Sequence, residues 1–283
     1  MFKRRYYYLV AGFADLVFDS GKGYPDLAEF RKELKNNLHP SDYYLVSLLF
    51  LPHDNDNLIA FLEEKTDRWD PLGNFPLSMF EEERKVLQSI VARKDVIPQY
   101  MVTVIAQRTG EEQSVDRVAT WKKLTEGYIE MALKPRNKFL KKWICFDRDV
   151  RNIFTMMNAK ELNLDASRYI IGKDHFAQEL TAIFNSGKDF VIPQEPDYAP
   201  AIFRIASENE FLERERKIDL ERWNFIDSNT FFEYFTIDLI LGYLLKYMIV
   251  LRWKQLDPET GRAMLDKLIG QMETQVMSLG FNE

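Results

Sequence analysis

One cysteine, Cys145, among 283 residues rules out an intrachain disulfide framework and any metal site built on several thiolates. A reducing compartment is the natural expectation. Glycine and proline are scarce, at 12 and 11. A chain with few turn-forming residues has few places for hairpins, which favours helices over short strands. Positive charge is also in deficit: the net charge of −6 argues against a general nucleic-acid binder, because such proteins neutralise phosphates with surplus Lys and Arg.

A membrane-spanning run is missing too. The most apolar stretch, Leu239 to Leu251, contains Lys246 and is bounded by Asp238 and Arg252. A bilayer needs about 20 apolar residues in succession, so this stretch reads as a buried central helix. The first residues, MFKRRYYYLVAGFADLVFD, turn from basic to apolar, but three tyrosines and the early Asp15 and Asp19 deny them the core of a signal peptide.

Motifs for catalysis are equally sparse. Gly21-Lys22-Gly23 lacks the GxxxxGK[ST] spacing that cradles phosphates, and no GxSxG nucleophile turn occurs. His39, His53 and His175 are far apart and lack metal-ligand spacing. Asp54 and Asp56 sit in His-Asp-Asn-Asp-Asn without the glycine and distal glutamate of a calcium loop, and read as a solvated turn. Cys145 lacks a histidine at useful spacing and reads as a buried structural thiol. No catalytic, cofactor-binding or metal residue is assigned, no cofactor is expected, and interface residues are left unassigned. The small basic clusters Lys3-Arg4-Arg5 and Lys141-Lys142 read as solvated faces, with acidic loops or lipid headgroups as the alternative contact.

What the chain has in quantity is apolar and aromatic side chains: 46% hydrophobic, with 21 Phe, 13 Tyr and 5 Trp, enough for a large core. Tyr6 to Phe13 suits a strand or a short helix, so one or two short strands near the N-terminus stay open. Beyond it, helical spacing dominates. Leu27, Phe30, Leu34 and Leu38 form one stripe behind Asp26 as cap. A helix capped by Ser41 is expected to stop at Pro52, with another over 58–66. Ser78 and Glu81 suit a capping box for a long helix to about Arg108, broken near Pro98. Further helices are expected over 115–133 (Ser114 as cap), 136–162 and 174–185. A long one ends near Leu220, an apolar one covers 230–255, and a last one follows Asp257-Pro258. No alternation of strands and helices appears, which excludes a doubly wound α/β fold.

A weak internal echo runs through these helices. Asn57 to Lys65 and Asn152 to Lys160 align at an offset of 95, and Lys246 to Lys254 keeps the apolar spacing and final lysine. The expectation is a single helical domain, 1–283, of three degenerate units covering about 1–98, 99–195 and 196–283.

The middle unit, with Asp149, Asn152, Ala159, Lys160, Asn163 and Leu164, resembles the central-stalk family of V-type and archaeal-type ATPases, which has members in bacteria, archaea and eukaryotes. The C-terminal run with Tyr243-Leu244-Leu245 is similar to that family's last repeat. A divergent bacterial family encoded beside V-type ATPase genes shows the same resemblance. The resemblance covers about two-thirds of the chain. It implies an all-α, pseudo-threefold funnel and a non-enzymatic, peripheral role at the cytoplasmic face of the membrane. There the protein would link shaft subunits to the membrane proteolipid ring of a rotary ATPase. A helical adaptor for an unrelated protein is the alternative. An enzyme with an unrecognised site is a third, less favoured reading.

Overall fold

The computed structural model describes residues 4–18, 24–87, 97–109, 116–186 and 191–255. Every regular element among them is helical. The chain divides into two compact units, 38–229 and a discontinuous one made of 1–37 with 230–283.

The discontinuous unit contains α1 (Tyr7–Ala11), α2 (Leu27–Asn37) and α11 (Ile237–Gln255). The ambiguous segment around Tyr6–Phe13 is therefore a short helix. Its main chain makes no ladder. Instead the Tyr6 N–H donates to the Phe235 carbonyl at 2.7 Å, in the turn that leads into α11. α2 buries the predicted stripe of Leu27, Phe30 and Leu34. α11 buries Ile240, Leu241, Leu244, Leu245, Tyr247 and Val250. An aromatic ladder joins the three segments: Phe13 stacks on Tyr243 at 4.2 Å, and Phe30 lies 5.0 Å from Tyr247. Among the described residues no helix is long and apolar enough to cross a membrane.

The contiguous unit holds α3 (Pro40–Leu62), α4 (Leu77–Leu87), α5 (Gln99–Thr109), α6 (Arg117–Ala132), α7 (Lys138–Glu161), α8 (His175–Asn185), α9 (Ala199–Ala206) and α10 (Phe211–Thr230). α3 packs on α6, α5 on α4 and α6, and α7 on α8 and α9. Pro135 ends α6 as expected, and Asn137 caps α7 by accepting from the Leu140 N–H at 2.7 Å.

Several boundaries differ from the expectation, each for a local reason. α3 does not stop at Pro52 but runs through it to Leu62. A proline inside a helix costs about 3 kcal/mol in isolation. Here flanking residues Leu48, Phe50, Leu51, Leu58 and Phe61 are all buried, and that burial outweighs the lost hydrogen bond. The cap of α3 is His39, whose ring nitrogen accepts from the Ser41 N–H, with Pro40 as first residue. α4 starts at Leu77, so Ser78 lies inside it and is not its cap. α6 is capped by Asp116, which accepts from Val118 and Ala119; Ser114 lies outside the described residues. The single helix expected to end near Leu220 is two, α9 and α10, separated by the polar Ser207 to Glu210, and α10 continues past Asp227-Ser228 to Thr230. The helix expected after Asp257-Pro258 also falls outside the described residues.

Candidate functional site

The resemblance singled out α7, and its centre is a hub. Successive helical residues point about 100° apart, so Phe146-Asp147-Arg148-Asp149 reaches in four directions. Phe146 stacks on Phe225 of α10 with centroids 4.0 Å apart and planes 8° from parallel, and meets Tyr198 edge-on at 4.9 Å. Asp147 accepts from Arg222 of α10 at 3.2 and 3.1 Å. Arg148 donates to Asp149 at 2.9 and 2.7 Å and pairs with Asp174, the cap of α8. Asp149 accepts from the Tyr198 hydroxyl at 2.7 Å, at the start of α9. One helical turn of α7 thus fastens α8, α9 and α10.

The electrostatics match this arrangement. Burial acts to raise the Asp147 carboxyl, but Arg222 and Arg151 outweigh it and hold it below the ordinary value. Asp149 goes the other way: its burial exceeds the opposing pull of Arg148 and Tyr198 and lifts its carboxyl. Burial, then the adjacent Asp149, pushes the Tyr198 phenol far above its usual range. Cys145 is a part-buried free thiol, not a fully buried one, and desolvation raises its pKa.

Asn152 lies one turn beyond Asp149 and is fully buried. Its side-chain amide pairs in both directions with the main chain of Ile171, donating to the carbonyl and accepting from the N–H, each at 2.8 Å. The corresponding Asn57 of α3 does the same to Asp70, at 2.9 and 2.7 Å. Asp54 precedes Asn57 as Asp149 precedes Asn152, and it too is a buried acceptor. It takes hydrogen bonds from the Asn74 N–H at 2.6 Å, the Phe75 N–H at 3.0 Å and the Asn74 side chain at 2.6 Å. The His-Asp-Asn-Asp-Asn segment is therefore not a solvated turn: four of its five side chains grip other segments. His53 meets Asp70 at 2.6 Å, and Asn55 bonds the Leu124 carbonyl and the Tyr100 hydroxyl. Gly73 completes this clasp, since a Cβ there would stand 2.7 Å from both Asn57 and Asp54.

α3 and α7 also end alike. Glu64 and Asn163 adopt left-handed backbone, with φ of 58° and 53°. The next N–H in each case reaches back five residues, Lys65 to Ala60 and Leu164 to Ala159, both at 2.8 Å. A short 3₁₀ turn follows each, Thr66–Arg68 and Ala166–Arg168. Asn152 lies one helical turn farther from its exit than Asn57 does, so the echo in sequence and the likeness of the helix ends differ by that turn. The third stretch, Lys246 to Lys254, lies within α11, uninterrupted.

A second feature had no assigned residues. In the discontinuous unit Tyr7, Tyr8, Phe231, Phe232 and Tyr234 all stand exposed, Tyr8 at 97% and Phe232 at 80%. They form neighbouring groups, because Tyr7 lies 4.8 Å from Phe235 and Phe231 meets Phe232 edge-on at 4.8 Å. Arg4 and Arg5 are exposed on the same segment as Tyr7 and Tyr8. Contiguous exposed aromatics mark contact surfaces. The available signal was Phe-Phe-Glu-Tyr falling between two helical patterns. Of the other basic cluster, Lys142 donates to Asn229 at 2.9 Å.

The profile of one protein family covers nearly all of this arrangement, matching residues 3–276. The chain belongs to the DUF2764 family, described as proteins of unknown function. No curated protein and no solved structure matches it. Seen across the family's matched region, the hub, both asparagine clasps and the exposed aromatics all lie within its bounds.

Proposed function

We propose that this chain is a non-catalytic central-stalk component of a V/A-type rotary ATPase, joining the central shaft to the membrane proteolipid ring. It would work at the cytoplasmic face as a peripheral component, with a helical body passing torque between the two. Support comes from the paired Asp54/Asn57 and Asp149/Asn152 clasps, because the motif that carries the resemblance organises both helices. A torque-bearing part has to resist shear. Buried, hydrogen-bonded polar groups that tie each helix to the loop after it, with the Asp147–Arg222 pair between α7 and α10, supply that resistance, since shifting a helix would leave charges and amides unsatisfied. The three units would form a pseudo-threefold funnel, and the aromatic face with Arg4 and Arg5 would be one of its contact surfaces.

Purification of the tagged protein from its native host in mild detergent tests this. Proteolipid-ring or shaft subunits are expected to co-purify. Repeated recovery without any ATPase component would sink the proposal. The exposed aromatic face also favours the second reading, a helical adaptor for an unrelated protein. Tyr8→Ser with Phe232→Ser should leave helical content unchanged. On the stalk reading the double variant also loses ATPase subunits; on the adaptor reading it loses a different, reproducible partner.

A further inference from the structure

We infer that the groove between the C-terminal end of α7 and the α9–α10 junction is a carboxylate-binding site. The groove has a volume of about 440 Å³ and is lined by Lys160, Arg214, Asn158, Ser207 and Asn209, with Glu161 and Glu208 at its sides. That size is within the range of small-ligand sites.

Arg214 is the central observation. Its guanidinium lies 6.0 Å from the ring of Phe154 on α7 and 5.5 Å from that of Phe211 on α10. Two aromatic faces thus fix its position without using its hydrogen-bond donors. Its Nε is buried and finds no hydrogen-bond acceptor among the described residues. An unsatisfied buried donor on a charged group is costly, and an incoming oxyanion would relieve it. The ammonium of Lys160 is buried in the lining of the same groove. Asn209 is exposed at its mouth and offers a neutral donor, while the Ser207 hydroxyl beside it donates to the Phe203 carbonyl at 2.9 Å.

Charge selects the kind of anion. Glu208 is paired with Lys217, so it is already matched. Arg214, whose Nε lacks an acceptor, brings one positive charge to the lining, with Glu161 beside it. A singly charged carboxylate balances that, whereas a phosphate dianion would overcharge the groove beside Glu161. The planar guanidinium also suits a planar carboxylate. The carboxylate could be carried by a small organic acid or by an acidic side chain of a protein partner.

The test follows the Arg214 Nε–Hε signal of the full-length protein by heteronuclear NMR, identified by its loss in Arg214→Lys. Acetate and a capped Gly-Asp-Gly peptide, each carrying a single carboxylate, are titrated separately, each against sodium chloride at matched ionic strength. A saturable shift of that signal is expected with at least one of them. Half-saturation at tenfold lower peptide than acetate assigns the site to a protein partner, and the reverse order assigns it to a small acid. Asn209→Asp, an exposed change that adds a negative charge at the mouth, should weaken binding at least threefold with the fold intact. A response no larger than that to chloride, or unchanged binding in Asn209→Asp, overturns the inference. So does stronger binding of inorganic phosphate than of either carboxylate.

Discussion

Asp147 and Arg222 meet across α7 and α10 with a single carboxylate oxygen accepting from both Nε and Nη2, at 3.2 and 3.1 Å. Arg222 also donates to Asp219 at 2.9 Å, so one guanidinium ties two carboxylates. The consequence is a defined pH dependence. The native Asp147 carboxyl lies below the ordinary 3.8. Its contribution is therefore fully present above that value and is lost as pH falls through the lower native one. Asp147→Asn should cost about 1–3 kcal/mol at pH 7, because Arg222 loses a charged partner. Urea unfolding at stepped pH should show the gap to the parent closing under acid conditions. A gap that widens towards low pH would contradict the assignment.

The asparagine clasps make a prediction about chemistry more than size. Asn152→Ala removes both bonds to Ile171 and leaves a buried N–H and carbonyl unsatisfied, at about 2–4 kcal/mol. Asn152→Asp keeps the shape but loses the donor and buries a charge, so it should be at least as damaging at neutral pH. Denaturant midpoints will rank them, and an Asn152→Asp protein as stable as the parent would show that the amide geometry does not matter.

Glu64 holds a left-handed backbone at φ 58°, a conformation that costs a side-chain-bearing residue energy. Glu64→Gly should stabilise the protein by about 0.5–1 kcal/mol, visible as a higher melting temperature. Asn163→Gly should do less, because asparagine already tolerates this region. Equal gains at both positions would contradict this account.

Tyr243 and Tyr247 give the discontinuous unit an alkaline signature. Burial, followed by neighbouring tyrosines and acids, pushes both phenols to about 12. The fold favours their neutral form, so the stability they confer is intact below the ordinary value of 10 and is lost as pH rises through about 12. Ultraviolet titration of tyrosinate should show a phase near pH 12 whose amplitude falls in Tyr243→Phe/Tyr247→Phe; an unchanged amplitude would contradict the assignment.

Helix content was legible because periodicity reports which face is buried, and the stripe of Leu27, Phe30 and Leu34 is found as read. Pro52 and His-Asp-Asn-Asp-Asn misled for one reason. Local propensity assigns polar residues after a proline to a turn, and only the tertiary partners Asp70, Asn74 and Leu124 make them helical and buried. Asp149 and Asn152 were singled out by resemblance, but their role as clasps depends on Tyr198 and Ile171, which no spacing rule connects to them. The Arg214 groove was illegible because it forms from three separate segments, and what marks it is a donor without an acceptor.

The division of the chain has a consequence during synthesis. Residues 38–229 are contiguous and can fold as they emerge from the ribosome. α1 and α2 emerge first, yet Phe13 and Phe30 rest on Tyr243, which is made roughly two hundred residues later. At about 5–20 residues per second, that leaves an aromatic, apolar segment without its partner for on the order of ten seconds or more. α1 and α2 thus precede the 38–229 unit in synthesis but are completed after it, and they are the segments a nascent-chain chaperone would hold.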